Sequence, residues 1–238
     1  MQRIFISDLH LEDSSANAFL RFAECLAVES AQVDEIYILG DLMEMWVGDD
    51  DDDAPARRLN EVLRQTTPVC PVFIMHGNRD FLFGDAFASA NGVTLIQDPH
   101  TTSDGLLLSH GDGLCIDDHE YQALRTTLRS QAWQDDILAK SLDERKAFGT
   151  ALRAQSKANN ANKPGNIMDV NDGAVTTALA ASHAHTLIHG HTHRPGVHKF
   201  AAYTRIVTGA WERCGWLCRQ RDEQLQLECF SLARHYGT

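Results

Sequence analysis

Short apolar runs recur along the chain, and each ends in glycine, aspartate or histidine. Ile4-Phe5-Ile6 runs into Ser7-Asp8-Leu9-His10, and residues 33–39 run into Gly40-Asp41. Val72-Phe73-Ile74-Met75 precedes His76-Gly77-Asn78-Arg79-Asp80, and Leu106-Leu107-Leu108 precedes Ser109-His110-Gly111-Asp112. Thr186-Leu187-Ile188 leads into His189-Gly190-His191-Thr192-His193-Arg194-Pro195. Runs this short, bounded by turn residues, predict buried strands. Between them Phe19, Leu20, Ala23 and Leu26 recur at helical spacing, residues 57–65 predict a helix ending before Pro68, and residues 81–91 predict one stopped at Asn91-Gly92. Strand alternating with helix predicts an α/β fold.

Residues 117–165 break that alternation. Tyr121, Leu124 and Leu128 suit one helix, Trp133, Ile137 and Leu138 a second, Phe148 and Leu152 a third. The expectation is a core of residues 1–116 and 166–238, with a helical insertion at 117–165 lying over the site as a lid. The insertion's apolar residues would line a greasy groove, with Arg153 and Lys163 facing an anionic group. Residues 159–165 read as loop, and a helix resumes at 167–182. The short strands after residue 195 predict antiparallel closure of a sheet edge.

Composition narrows the function. The formal net charge of −12 argues against broad nucleic-acid binding. Residues 121–165 carry eight Lys/Arg against four acids, a local basic region suited to an anionic ligand. No apolar run approaches the roughly 20 residues of a spanning helix, so a cytoplasmic location is expected. The six scattered cysteines read as small buried hydrophobes. Asp49 to Asp53 form an acidic run that lacks the alternation and glycine of a calcium loop, so a solvated loop opening the next helix is expected.

Each strand end alone would be an ordinary turn; the repetition is informative. Asp8, His10, Asp41, Asn78, His110, His191 and His193 all stand just past apolar strands. In α/β folds such strand ends face a common crevice. Seven oxygen and imidazole donors exceed what one cation needs. With one carboxylate shared they suit two metals roughly 3.5–4 Å apart. The mixed donor set without thiolate favours Mn²⁺, Fe²⁺, Zn²⁺ or Co²⁺ over Ca²⁺.

Asp8-x-His10, Gly40-Asp41, Gly77-Asn78, His110 and Gly190-His191-x-His193 resemble the calcineurin-like metallophosphoesterases. That resemblance implies a four-layered αββα sandwich. It assigns Asp8, His10, Asp41 and His193 to one metal and Asp41, Asn78, His110 and His191 to the other. Many members carry His after the Gly-Asn pair, where this chain has Arg79. A narrower resemblance accommodates the difference. The stretches around Asp41, Asn78, His110, Ile167-Met-Asp-Val-Asn and His191 are similar to the UDP-2,3-diacylglucosamine pyrophosphohydrolases of lipid A synthesis. The resemblance implies two divalent ions, Mn²⁺ foremost, and metal-hydroxide attack on the α-phosphorus giving UMP and 2,3-diacylglucosamine 1-phosphate. It implies catalytic roles for Arg79, Asp41 and His191. Substrate contacts would fall to Asn78, Arg79, Asp118, Ser156, Asn160, Lys163 and His191. It also implies peripheral attachment to the cytoplasmic face of a Gram-negative inner membrane. The rivals are a soluble nucleotide or dinucleotide phosphoesterase of the same fold and a metal-free binding scaffold.

Overall fold

The computed structural model describes residues 1–160, 163 and 167–237. Two sheets lie face to face. The first has six strands in the order β11 (Gln224–Ser231), β10 (Cys214–Arg221), β1 (Gln2–Ile6), β2 (Glu35–Leu39), β3 (Val72–Met75) and β4 (Thr94–Ile96). The second has five: β5 (His100–Thr101), β6 (Leu106–Ser109), β7 (Thr186–His189), β9 (Thr204–Val207) and β8 (Gly196–Lys199). β1 to β4 run parallel, as do β6, β7 and β9.

Side chains alternate across a strand, and this assembles the layers. Ile4, Ile6, Ile36 and Ile38 point outward to Phe19, Phe22 and Leu26 of α1 (Asn17–Glu29) and Leu59, Val62 and Leu63 of α2 (Ala54–Thr66). Phe5, Tyr37, Leu39 and Met75 point the other way, onto Leu106, Leu108, Ile188 and Ile206 of the second sheet. Leu107 and Leu187 then meet Val175 and Leu179 of α7 (Asp172–Ser182) on the far face. The result is the four-layered αββα sandwich, with the central parallel strands β1, β2, β6 and β7 buried on both sides, which explains the continuous apolar runs.

Helices α4 (His119–Leu128), α5 (Gln131–Leu138) and α6 (Leu142–Asn160) lie between β6 and α7 in the chain. The loop reading for 159–165 is corrected at its start, because α6 continues through Asn160; residues 161, 162 and 164–166 lie outside the described residues. No described helix is long and apolar enough to cross a membrane.

Three other expectations change. The tail strands do not close one edge. β10 and β11 extend the first sheet beside β1, while β9 pairs parallel with β7 and carries β8. The helix expected over 81–91 is shorter, α3 (Asp85–Asn91), because Phe81 and Phe83 are buried in the loop before it, with Phe83 against Trp46. The acidic run is not simply a solvated loop. Asp53 caps α2, as expected of a loop that opens that helix, but Asp49 accepts from the Gly84 and Phe87 amides at the start of α3, Asp50 pairs with Arg145 and Asp51 with Lys146 of α6.

Candidate metal centre

The loops after β1 and β2 run side by side. The Asp8 N–H donates to Gly40 O, the His10 N–H to Asp41 O and the Leu11 N–H to Leu42 O, at 3.0–3.1 Å. Pairing therefore continues beyond the strands, but through bent backbone. Asp8, His10 and Asp41 have φ of 54°, 49° and 51°, and His191 and His193 have 66° and 54°. These are five of the seven described non-glycine residues with positive φ, a region such residues rarely occupy outside functional sites. Asp8 and His10 thus converge through successive left-handed turns, not through extended alternation as the sequence suggested.

Glycine permits the close approach. A Cβ on Gly77 would lie 2.1 Å from the Asp41 amide nitrogen and Oδ1, and one on Gly190 would lie 2.2 Å from Asp8 Oδ2. The Asp80 carboxylate, buried, accepts from the Gly77, Leu42 and Met43 amides at 2.8, 2.6 and 3.2 Å, fixing the loops that carry Asp41 and Asn78. The His191 amide donates to both Asp8 oxygens, and the Arg79 amide to Asp41 Oδ1.

All seven expected donors meet on one rim. His10 Nε2 is 3.1 Å from His193 Nε2, and His193 Nε2 is 3.5 Å from Asp8 Oδ1. Asp41 faces both ways, with Oδ2 3.8 Å from His10 Nε2 and Oδ1 3.7 Å from His110 Nε2. Asn78 Oδ1 lies 3.1 Å from His110 Nε2 and 2.8 Å from His191 Nδ1. Metal–ligand bonds of about 2.0–2.2 Å put neighbouring donors roughly 3.0–3.5 Å apart, so these separations fit edges of coordination polyhedra. Asp8, His10 and His193 form one cluster and Asp8, Asp41 and His110 another, so two cations fit the donors.

The nitrogens turned away from the rim are held. His110 Nδ1 bonds Leu39 O at 2.9 Å, and His10 Nδ1 lies 2.6 Å from Glu44 Oε2, an ion-pair contact out of line for a hydrogen bond. Such partners set which nitrogen faces a metal. Burial lowers the His10 and His110 pKa values, but Asp41, Asp8 and, at His10, Glu44 push both up to about 9. Burial alone would raise the Asp8 carboxyl; the hydrogen bond to His193 and three imidazoles hold it well below the usual range. Burial and the His110 charge press His191 down to about 4. The rim is a field that draws positive charge, whether protons or divalent cations that displace them.

Around the rim, Tyr121 of α4 stacks on His191 at 5.9 Å and its hydroxyl donates to Asp112, which also accepts from Arg125. Asp118 and Ser156 line the same cleft as His10, Asp41 and His191. Lys163 Nζ is 2.7 Å from Asp118, so these two neutralise each other. The Asn160 side chain lies outside the described residues. Arg153 does not face open phosphate space as expected; it pairs with Glu12 and Glu44. Next to the rim, Trp46, Phe81, Trp133, Ile137, Phe148 and Leu152 line a narrow, mostly apolar cleft that Asn78 and Arg79 also line. Sequence reasoning gave no role to Glu44, Asp80 or Asp112. Asp80 and Asp112 stood inside the very stretches that carried ligands; Glu44, between two methionines, offered no signal.

Residues 1–195 match the family model for calcineurin-like phosphoesterases. The chain belongs to that family. It is 38% identical over 98% of its length to the UDP-2,3-diacylglucosamine hydrolase of Salmonella typhi, covering all of that protein. It is 44% identical over 90% of its length to the UDP-2,3-diacylglucosamine hydrolase of Chromobacterium violaceum, covering 92% of it. A solved archaeal phosphodiesterase shares the fold at a TM-score of 0.50 and 13% identity, over 97% of this chain and all of that one.

Proposed function

We propose that this chain hydrolyses the diphosphate of UDP-2,3-diacylglucosamine, releasing UMP and 2,3-diacylglucosamine 1-phosphate, with two Mn²⁺ ions. The single observation that carries this reading is Arg79. It lines both the polar cleft of the metal rim and the apolar cleft beneath α5 and α6. Its Nε is buried with no hydrogen-bond partner among the described residues. A buried guanidinium N–H without an acceptor is unfavourable until an anion supplies one. A substrate with a diphosphate at one end and acyl chains at the other matches the two clefts on either side of it.

Asp8, His10, Asp41 and His193 would hold one ion, and Asp41, Asn78, His110 and His191 the other. When bound, the ions lower the pKa of an attacking water and neutralise charge on phosphate oxygens. Arg79 adds a planar donor whose bonds strengthen as charge gathers on those oxygens. The hydrogen bond from its backbone N–H to Asp41 Oδ1 fixes the Arg79 backbone against a carboxylate that would hold the ions. Helices α4 to α6 serve as the lid, with Trp133, Ile137, Phe148 and Leu152 taking acyl chains and excluding water. The apolar residues of this region support peripheral binding at the cytoplasmic face of the inner membrane.

The test is side-by-side turnover with Mn²⁺. UMP release from UDP-2,3-diacylglucosamine at a kcat/KM far above that for diadenosine tetraphosphate is expected. The reverse order would identify a soluble dinucleotide phosphoesterase, and no release from either, with no metal retained, a binding scaffold.

A further inference from the structure

Glu44 stands between the metal rim and helix α6. Its Oε2 is 2.6 Å from His10 Nδ1 and its Oε1 is 2.5 Å from Arg153 Nε. Arg153 reaches on with Nη1 and Nη2 to Glu12, at 2.9 and 3.2 Å. One turn of α6 therefore grips the chain after β2, through Glu44, and the chain after β1, two residues past His10. Elsewhere α6 is held by Arg145, whose guanidinium bonds Val47 O and Asp50.

Stability does not account for this arrangement. Half-exposed ion pairs contribute little to it. Arg153 is 38% exposed and Glu12 63%. Glu44, at 13%, is the shielded member and the one that touches a ligand imidazole. Metal-ligating imidazoles almost always have an acceptor beside the nitrogen turned away from the ion; at His10 the Glu44 carboxylate is the group in that place, as a close ion-pair contact rather than an aligned hydrogen bond. A glutamate free to rotate holds that ring poorly. With one oxygen on Arg153, the other is confined to His10.

We propose that Glu44 is a positioning residue for His10, and that Arg153 makes this positioning depend on the seating of α6. Cation retention at the Asp8–His10–His193 cluster and docking of α6 are then linked, and the linkage is reciprocal: a cation there tightens α6, and a loosened α6 weakens the cation. The inference rests on the two-metal reading above and adds the route by which the helical region senses metal loading.

The experiment titrates full-length, metal-free protein with Mn²⁺ and, separately, Co²⁺. Calorimetry reads affinity, and the visible absorption of Co²⁺ reads the ligand field. Glu44→Gln weakens one of the two ions by about ten- to hundredfold and changes the Co²⁺ spectrum. Arg153→Met, which touches no metal ligand, weakens the same ion several-fold. The double variant is no weaker than Glu44→Gln alone, and Arg153→Lys recovers part of the loss. In wild-type protein, but not in Glu44→Gln, Mn²⁺ slows amide exchange along α6. If Arg153→Met binds both ions with wild-type affinity and α6 exchange ignores Mn²⁺, the linkage is overturned while the metal reading stands. Wild-type protein that binds no Mn²⁺ overturns the metal reading and the linkage with it. Should Glu44→Gln fail to fold, Arg153→Met alone still decides the point.

Discussion

Gly77→Ala isolates the packing of the metal rim from its chemistry, because it removes no donor. The added methyl would sit 2.1 Å from both the amide nitrogen and Oδ1 of Asp41, and 2.9 Å from Asp41 Cα, where ordinary contact begins near 3.4 Å. The obstacle is mainly backbone, so no side chain can swing aside. The Asp41 loop, the Asn78 loop or both must separate by about 1 Å. Each is pinned from behind by Asp80, which binds the Gly77, Leu42 and Met43 amides together. A 1 Å misplacement near reacting groups costs on the order of 10²-fold in rate. Overpacking of this kind typically costs about 1–3 kcal/mol of stability.

The expected outcome is a folded variant with a lowered melting temperature, weakened Mn²⁺ binding and kcat/KM reduced by about two orders of magnitude. Steady-state hydrolysis, metal stoichiometry after dialysis and thermal melting measure the three. Wild-type activity with two ions retained would refute the reasoning, since it would mean that the approach of the two loops does not set the donor positions.

Asp41→Asn removes the carboxylate that faces both clusters, and hydrolysis should drop to the level of chelator-treated wild type in a Mn²⁺-dependent UMP-release assay. Leu152→Lys should raise KM for the diacyl substrate on the order of fiftyfold by displacing about three methylene groups at roughly 0.8 kcal/mol each, with turnover of a soluble diphosphate little changed. Glu29 is nearly fully buried: burial raises its carboxyl, but hydrogen bonds from Arg219 and Tyr236 overcome this and hold it below its ordinary 4.5. Its folded pKa is lowered, so its stabilisation is complete above about pH 4.5 and is lost as pH falls toward the lowered value. Melting curves of Glu29→Gln should therefore depend less on pH below 4.5 than those of wild type.

The fold was legible because burial on both faces leaves a plain mark. Ile4-Phe5-Ile6 and Leu106-Leu107-Leu108 can only be strands covered on two sides, and donors placed just beyond them must share a rim. Pairing partners were not legible. β9 and β10 follow one another in the chain, yet one joins β7 in the second sheet and the other β1 in the first, a choice made by tertiary packing across the sandwich. The acidic run misled for a related reason. Aspartate is normally solvated, and only the fold reveals that Asp49 caps α3 while Asp50 and Asp51 meet Arg145 and Lys146, far away in the chain. Glu44 and Arg153 were invisible as a pair for the same reason.

The left-handed turns at the rim complete the physical account. Non-glycine residues in that region carry strain of order 1–3 kcal/mol each and persist only where the surroundings over-determine them. Here the surroundings can be named: Asp8 is held by Gly40 O, by the Trp211 N–H on its carbonyl and by the His191 N–H on its carboxylate. His10 is held by Asp41 O and by Glu44. Each bond ties a donor to a different strand end, so relaxing one turn pulls on the others. The strain is therefore sustained by the same sheet-to-sheet packing of Phe5, Tyr37, Leu108 and Ile188 that stacks the two sheets.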